Sequence, residues 1–175
     1  MKTGIIVFFF FIIGHSAYSQ IDPELKGNVR SQAEMMVNAF VNENYALLLD
    51  YTYPKILTIA GGRDVLMDMV VQMMSDLKAS GVTVDSAKVG EPGEIYKAGT
   101  ELHALITQYI YMKIPGGRMV SESALLAVSA DNGSRWYFLD IKQLTPELKQ
   151  EFFPDFNKDL IIPEPKAPVI TYDDK

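Results

Sequence analysis

The chain has 175 residues, of which 16 are basic and 22 acidic, so its formal net charge is −6 at pH 7. An acidic surface repels phosphate backbones and anionic lipid, and we therefore expect no nucleic-acid partner. The sequence contains no cysteine, which excludes disulfides, a thiol nucleophile and a thiolate metal site. With two histidines and no acid-rich loop of calcium-binding length, we expect neither a metal nor another cofactor.

The N-terminal segment has the pattern of a secretory signal peptide. Lys2 supplies a positive charge, residues 5–13 are an unbroken apolar run, and small residues stand at positions 17 and 19. The alternative is a membrane anchor. Residues 4–14 would rise only about 16 Å as a helix, however, which is roughly half of a hydrocarbon core. We therefore predict cleavage between residues 19 and 20.

Residues 1–19 are thus the predicted signal peptide, and their removal would leave residues 20–175 as the mature protein outside the cytoplasm. The loss of Lys2 would change the net charge from −6 to −7. We expect a secreted or periplasmic protein with no stable membrane insertion after cleavage. A bacterial periplasm fits the short signal and the lack of cysteine best.

Three helices are predicted next, from apolar residues spaced three and four apart. Pro23 begins the first helix, which should end near Asn42, and Asn44 is the expected cap of the second. Gly81 is the expected stop of the third. The predicted helices are 23–42, 45–50 and 63–80, and a short segment, 55–60, precedes the third.

The third predicted helix carries an apolar stripe that we expect to lie in the core. A flexible binding wall is the alternative, because methionine adapts to irregular shapes. The stripe consists of Val65, Leu66, Met69, Val70, Met73, Met74 and Leu77.

Beyond Gly81 the apolar period changes to two, which predicts an antiparallel meander of strands joined by tight turns. The predicted strands are 82–89, 95–97, 101–114, 118–130 and 135–141. A last short helix is expected over 145–153. The tail, 154–175, is predicted to be extended and proline-rich, frayed from residue 172 on, and partly packed on the domain through Leu160, Ile161, Ile162 and Val169.

Helices followed by strands predict an α+β domain over residues 20–153, with N-terminal helices packed on a curved antiparallel sheet. One face of the long strand is apolar and should be core: Leu102, Ala104, Ile106, Gln108, Ile110 and Met112. The other face is mixed and aromatic: Glu101, His103, Leu105, Thr107, Tyr109, Tyr111 and Lys113. Such a face is typical of a subunit contact or a cavity mouth, and the alternative is an ordinary exposed face.

The order of elements and a few punctuating residues resemble a known superfamily. The features that carry the resemblance are residues 44–47, residues 50–54, Gly61-Gly62 before a helix, and the strand at 134–140. In these the chain is similar to the nuclear transport factor 2-like (cystatin-like α+β cone) superfamily, as a secreted bacterial member. The resemblance implies a sheet curled around a pocket, capped by helices, and frequent homodimers through the sheet face. Isomerases, dehydratases, hydrolases and binding modules share this fold, so it does not select a function.

Seven residues are candidates for the pocket or the sheet face: Tyr51, Tyr53, His103, Tyr109, Tyr111, Trp136 and Asp140. His103 could be a general base beside a carboxylate, or a hydrogen-bonded structural residue. Asp140 could be a pocket acid assisted by Tyr51 or Tyr53. The alternative is a strand-end cap or a salt-bridge partner of Lys142 or Arg135. Trp136 would stabilise the core by burial alone.

No defined catalytic motif accompanies these residues, and the catalytic residues stay unknown. We expect an exported, non-catalytic binding or interaction module that could hold a small apolar ligand and form a homodimer through the sheet face. The alternative is a small pocket enzyme of isomerase, dehydratase or hydrolase type that uses a carboxylate and tyrosines.

Overall fold

The computed structural model describes residues 23–174, and the predicted signal peptide lies outside this range. The predicted α+β class is confirmed: helices pack against an open, curved, antiparallel sheet. The helices are α1 (Pro23–Val41), α2 (Tyr45–Tyr51), α3 (Pro54–Ile59), α4 (Arg63–Ala79) and α5 (Pro146–Phe152), with a 3-10 turn at Ile141–Gln143.

The sheet has the predicted strands and gains one at its end, but the predicted meander is wrong at its start, because β1 and β2 both pair with β3 and not with each other. Its strands are β1 (Thr83–Pro92), β2 (Tyr96–Ala98), β3 (Glu101–Ile114), β4 (Gly117–Ser129), β5 (Tyr137–Asp140) and β6 (Val169–Tyr172). The order is β1-β3-β4-β5, with β2 also paired to β3 and β6 to β4, and every pair is antiparallel. Two register shifts in β1 act as bulges, which bend a strand and increase its twist.

Local sequence signals set the helix ends close to where they were predicted. The Asn44 side chain accepts a hydrogen bond from the backbone N–H of Leu47 at 3.2 Å and caps α2. Pro54 is the first residue of α3, a position at which a backbone N–H would have no partner within the helix, so proline loses no hydrogen bond there. Gly81 follows α4 with a φ of +81°, a conformation that favours glycine.

Alternation along the strands builds a separate apolar cluster on each face of the sheet. The first cluster lies between α1 and the sheet and includes Val29, Ala33, Met36, Val37, Tyr51, Ala104, Ile106, Leu125, Ala127, Trp136 and Phe138. The second lies on the opposite face beneath α5 and the tail, and includes Tyr53, Ile56, Ala124, Leu126, Val128, Leu139, Ile141, Phe152, Phe153 and Leu160. The apolar face of β3 is therefore core, as predicted.

The expected burial of the α4 stripe is wrong for most of the helix. Of the seven stripe residues only Met74 is buried, whereas Val65, Met69 and Met73 are 42%, 55% and 49% exposed. The helix packs on α2 and α3. Propensity and periodicity correctly predicted a helix here. The two short helices on which it packs present too little surface to cover the whole stripe.

The tail is more ordered than predicted. Leu160 is buried in the second cluster and Ile162 packs against it, which confirms that part of the tail lies on the domain. The same expectation is wrong for Ile161 and Val169, which are exposed. The expectation of an irregular, frayed end is wrong for Val169–Tyr172, because these residues form β6 against the start of β4. Gly117 permits this pairing, since a Cβ atom there would collide with the carbonyl of Thr171.

No helix within residues 23–174 is both long enough and apolar enough to cross a membrane.

Candidate functional site

A cavity of about 290 Å³ lies between the helices and the curved sheet. Its walls come from α1, α2, α3 and α4 on one side and from β3, β4 and β5 on the other. Most of the lining is apolar. The lining residues are Met36, Val37, Phe40, Leu48, Thr52, Ile56, Met73, Gln108, Ile110, Leu125, Phe138, Leu139, Asp140 and Gln143.

Two polar residues of this lining, Gln108 and Asp140, are linked through Ser123 on the strand between them. The sheet register pairs Gln108 with Ser123, and Asp140 with Leu125, two residues further along β4. Residues 123 and 125 share a face, so all three polar side chains point to the cavity side. Ser123 Oγ donates to Asp140 Oδ2 at 3.0 Å, and Gln108 Nε2 lies 3.5 Å from Ser123 Oγ.

Asp140 has a structural role as well as a place in the cavity. Its Oδ1 accepts a hydrogen bond from the backbone N–H of Lys142 at 2.9 Å and caps the 3-10 turn. The strand-end cap weighed for this residue is therefore present. Asp140 is partly exposed and Gln143 is exposed, so the polar end of the cavity lies at its mouth.

Tyr51 and Trp136 lie in the first apolar cluster and do not line the cavity. Tyr51 donates to the sulfur of Met35 at 3.1 Å, and the Arg135 guanidinium stacks 4.2 Å from its ring centre. Trp136 is fully buried, and its Nε1–H donates to the carbonyl of Gly133 at 3.0 Å. Both residues stabilise the core.

Tyr53 and His103 lie in the region covered by α5 and the tail. Burial first, and then the charge of Glu101, raise the pKa of Tyr53 to about 12. His103 is fully buried, with its ring centre 5.0 Å from that of Phe153. Its Nε2 is 3.0 Å from Glu101 Oε2, and its Nδ1 has no hydrogen-bond partner among the residues that the structure describes.

The carboxylate neighbour predicted for His103 is thus present, but the two lie far from Asp140 in the fold, on the other face of the sheet. Burial lowers the pKa of His103, although the hydrogen bond to Glu101 acts in the opposite direction. The end of the mixed face that carries His103 is neither a free surface nor the mouth of the main cavity, because α5 and the tail cover it.

Tyr109 and Tyr111 stand further along the same mixed face and are half-buried. The ammonium group of Lys88 lies 5.7 Å from the ring centre of Tyr111. A homodimer through this part of the sheet stays a prediction.

Sequence reasoning placed Asp140 at the cavity but missed Gln108, Ser123 and Gln143. Gln108 gave a usable signal, because it is the one polar residue on the apolar face of β3. A glutamine buried in such a row must have a polar reason to be there. Ser123 gave no comparable signal, since its partners come from other strands.

Within residues 23–174, no group of three or more His, Asp or Glu side chains could hold a metal ion. Comparisons of the chain with family models, curated proteins and solved structures gave no match.

Proposed function

We propose that this chain is an exported, non-catalytic binding protein of the nuclear transport factor 2-like type, and that its cavity holds a small apolar ligand. The observation that carries the proposal is the cavity itself: about 290 Å³, mostly apolar, with Asp140 and Gln143 at its mouth. Small-molecule sites are typically concave and apolar, with a few placed polar groups that fix orientation. Helices capping a curved antiparallel sheet are compatible with the cone fold of that superfamily.

For the alternative, a small pocket enzyme, only one of the proposed catalytic groups lies at the cavity. Asp140 is a carboxylate at the cavity, and Ser123 orients it. Among the described residues, neither the tyrosines nor the histidine proposed to assist it lines the cavity. Without a second group placed to accept or donate a proton, binding is the function that this geometry supports better.

The proposal is tested by filling the cavity. Neighbouring residues of β3 alternate in face, so Ile110 lines the cavity and Tyr111 does not. The protein used is the predicted mature chain, residues 20–175. Ile110→Trp should weaken its binding of naphthalene at least about tenfold, because the indole ring fills space that the ligand would occupy. Tyr111→Trp is the matched control and should bind like the parent. Binding is followed by titration with NMR detection.

If the parent protein binds no apolar compound of this size, the proposed function is wrong. The same conclusion follows if Ile110→Trp folds normally and binds as tightly as Tyr111→Trp.

A further inference from the structure

Asp140 is the one charged residue in the lining of the cavity, within the part of the chain that the structure describes. No lysine, arginine or histidine side chain lines the same space. A carboxylate at the edge of an apolar cavity therefore sets the sign of the local field, which favours a positive group and disfavours a negative one.

The Asp140 carboxylate is held in place by neutral groups only. Ser123 donates to one oxygen and the Lys142 backbone N–H to the other. Among residues 23–174, no basic side chain forms an ion pair with Asp140. A carboxylate oxygen has two lone pairs, so each oxygen of Asp140 retains capacity for another donor. The fixed orientation would lower the cost of binding a donor there.

We propose that the ligand is a small amphiphile with a protonated amine head and a compact apolar body. The amine binds Asp140 at the mouth, and the body lies against Phe40, Leu48, Ile110 and Phe138 inside. This inference rests on the proposed ligand-binding function and specifies the ligand class.

The cavity volume limits the apolar body. A cavity of about 150 Å³ accommodates benzene, so about 290 Å³ should hold a body of roughly ten to twelve non-hydrogen atoms. Straight-chain C8 amphiphiles have nine or ten such atoms and fit this limit. A long-chain lipid would leave much of its tail outside.

The test compares three C8 compounds with one body and different heads: octylamine, octanol and octanoate. At pH 7 octylamine should bind at least about tenfold more tightly than octanoate, with octanol between them, because charge-assisted hydrogen bonds are the stronger class. Asp140→Asn keeps the size of the side chain and removes its charge, and it should abolish the preference for the amine. Affinities are measured by calorimetry or by NMR titration.

Glu151→Gln is the matched control. It removes one acidic charge from an exposed site on α5, which covers the other face of the sheet. It should leave the order of the three affinities unchanged. If Asp140→Asn were destabilised, Ser123→Ala would serve in its place. It keeps the charge of Asp140 but removes the hydrogen bond that orients the carboxylate, so the preference for the amine should fall in part.

The outcomes separate this inference from the function on which it rests. If none of the three compounds binds and naphthalene also fails, the binding function is wrong. If all three bind with similar affinity, or octanoate binds most tightly, the cavity binds ligands but the amine assignment is overturned. Retention of the amine preference in Asp140→Asn overturns it as well.

Discussion

At the scale of single residues, His103 is a titratable group that is fully buried. Phe153 of the second apolar cluster and Phe156 pack against the ring, Glu101 faces Nε2, and Nδ1 has no hydrogen-bond partner within residues 23–174. Protonation of the imidazole would place a cation in this apolar cluster, at a cost in desolvation free energy that Glu101 only partly offsets. His103 is therefore a neutral packing residue at neutral pH.

This environment makes stability depend on pH. Because burial lowers the pKa of folded His103, the unfolded chain binds more protons once the pH falls below about 6.5, the ordinary histidine value. The free energy of unfolding should be at its full value above that pH and decrease as the pH falls from about 6.5 to 5. The measurement is urea unfolding at a series of pH values.

The matched variant is His103→Phe, which keeps an aromatic ring beside Phe153 and removes the titration. Its free energy of unfolding should vary less between pH 7 and 5 than that of the parent. The carboxyl of Asp131, whose pKa is lowered chiefly by the backbone N–H of Arg135, affects stability only at lower pH. Equal slopes in the parent and the variant would contradict this account of His103.

Prediction of single residues from the sequence succeeded where the position depends on one strand, and failed where it depends on how several strands pair. Asp140 was placed at the cavity because a strand end is visible in the sequence. The three-strand arrangement of Gln108, Ser123 and Asp140 depends on the register of β3, β4 and β5, which the sequence of any one strand does not specify. Tyr53 follows the same rule, since the cluster in which it lies depends on where α5 and the tail pack.

At the scale of elements, α4 separates what local sequence determines from what packing determines. Its ends agree with the prediction, and ion pairs hold both: Arg63 with Asp50 at 2.7 Å, and Lys78 with Glu43 at 2.6 Å. Which side of the helix is buried depends on the neighbouring helices, and periodicity alone could not reveal how few of its apolar residues they cover.

The buried and exposed methionines of α4 provide a matched pair of substitutions. Met74 is 5% exposed and Met69 is 55% exposed. Met74→Ala should lower the free energy of unfolding by about 2–5 kcal/mol, through loss of buried contacts and the cavity left behind. Met69→Ala should change it by no more than about 0.5 kcal/mol, as is usual for surface positions. Urea unfolding of both variants measures the difference. Equal losses would mean that the exposed side of α4 is covered in solution.

At the scale of the whole molecule, the C-terminal segment completes the fold. The sheet needs cover on two faces; α1 covers the first, whereas the N-terminal helical region reaches only part of the second, through residues such as Tyr53 and Ile56. Phe152 and Phe153 of the α5 region, with Leu160 of the tail, also cover the second. The sequence predicted that the tail touches the domain, but it could not predict β6, because that strand depends on the close approach that Gly117 permits.

Two truncations test how much of the tail the fold requires. Removal of residues 167–175 deletes β6, whose four residues are all exposed, and should lower the melting temperature only modestly. Removal of residues 154–175 also deletes Leu160 and uncovers Phe153, so it should lower the melting temperature much further. Thermal unfolding by circular dichroism, with binding of a hydrophobic dye at 25 °C, distinguishes the two. If the longer truncation melts within a few degrees of the shorter one and binds no more dye, the second apolar cluster does not depend on the tail. The packing of Phe153 and Leu160 would then contribute little to the stability of the domain.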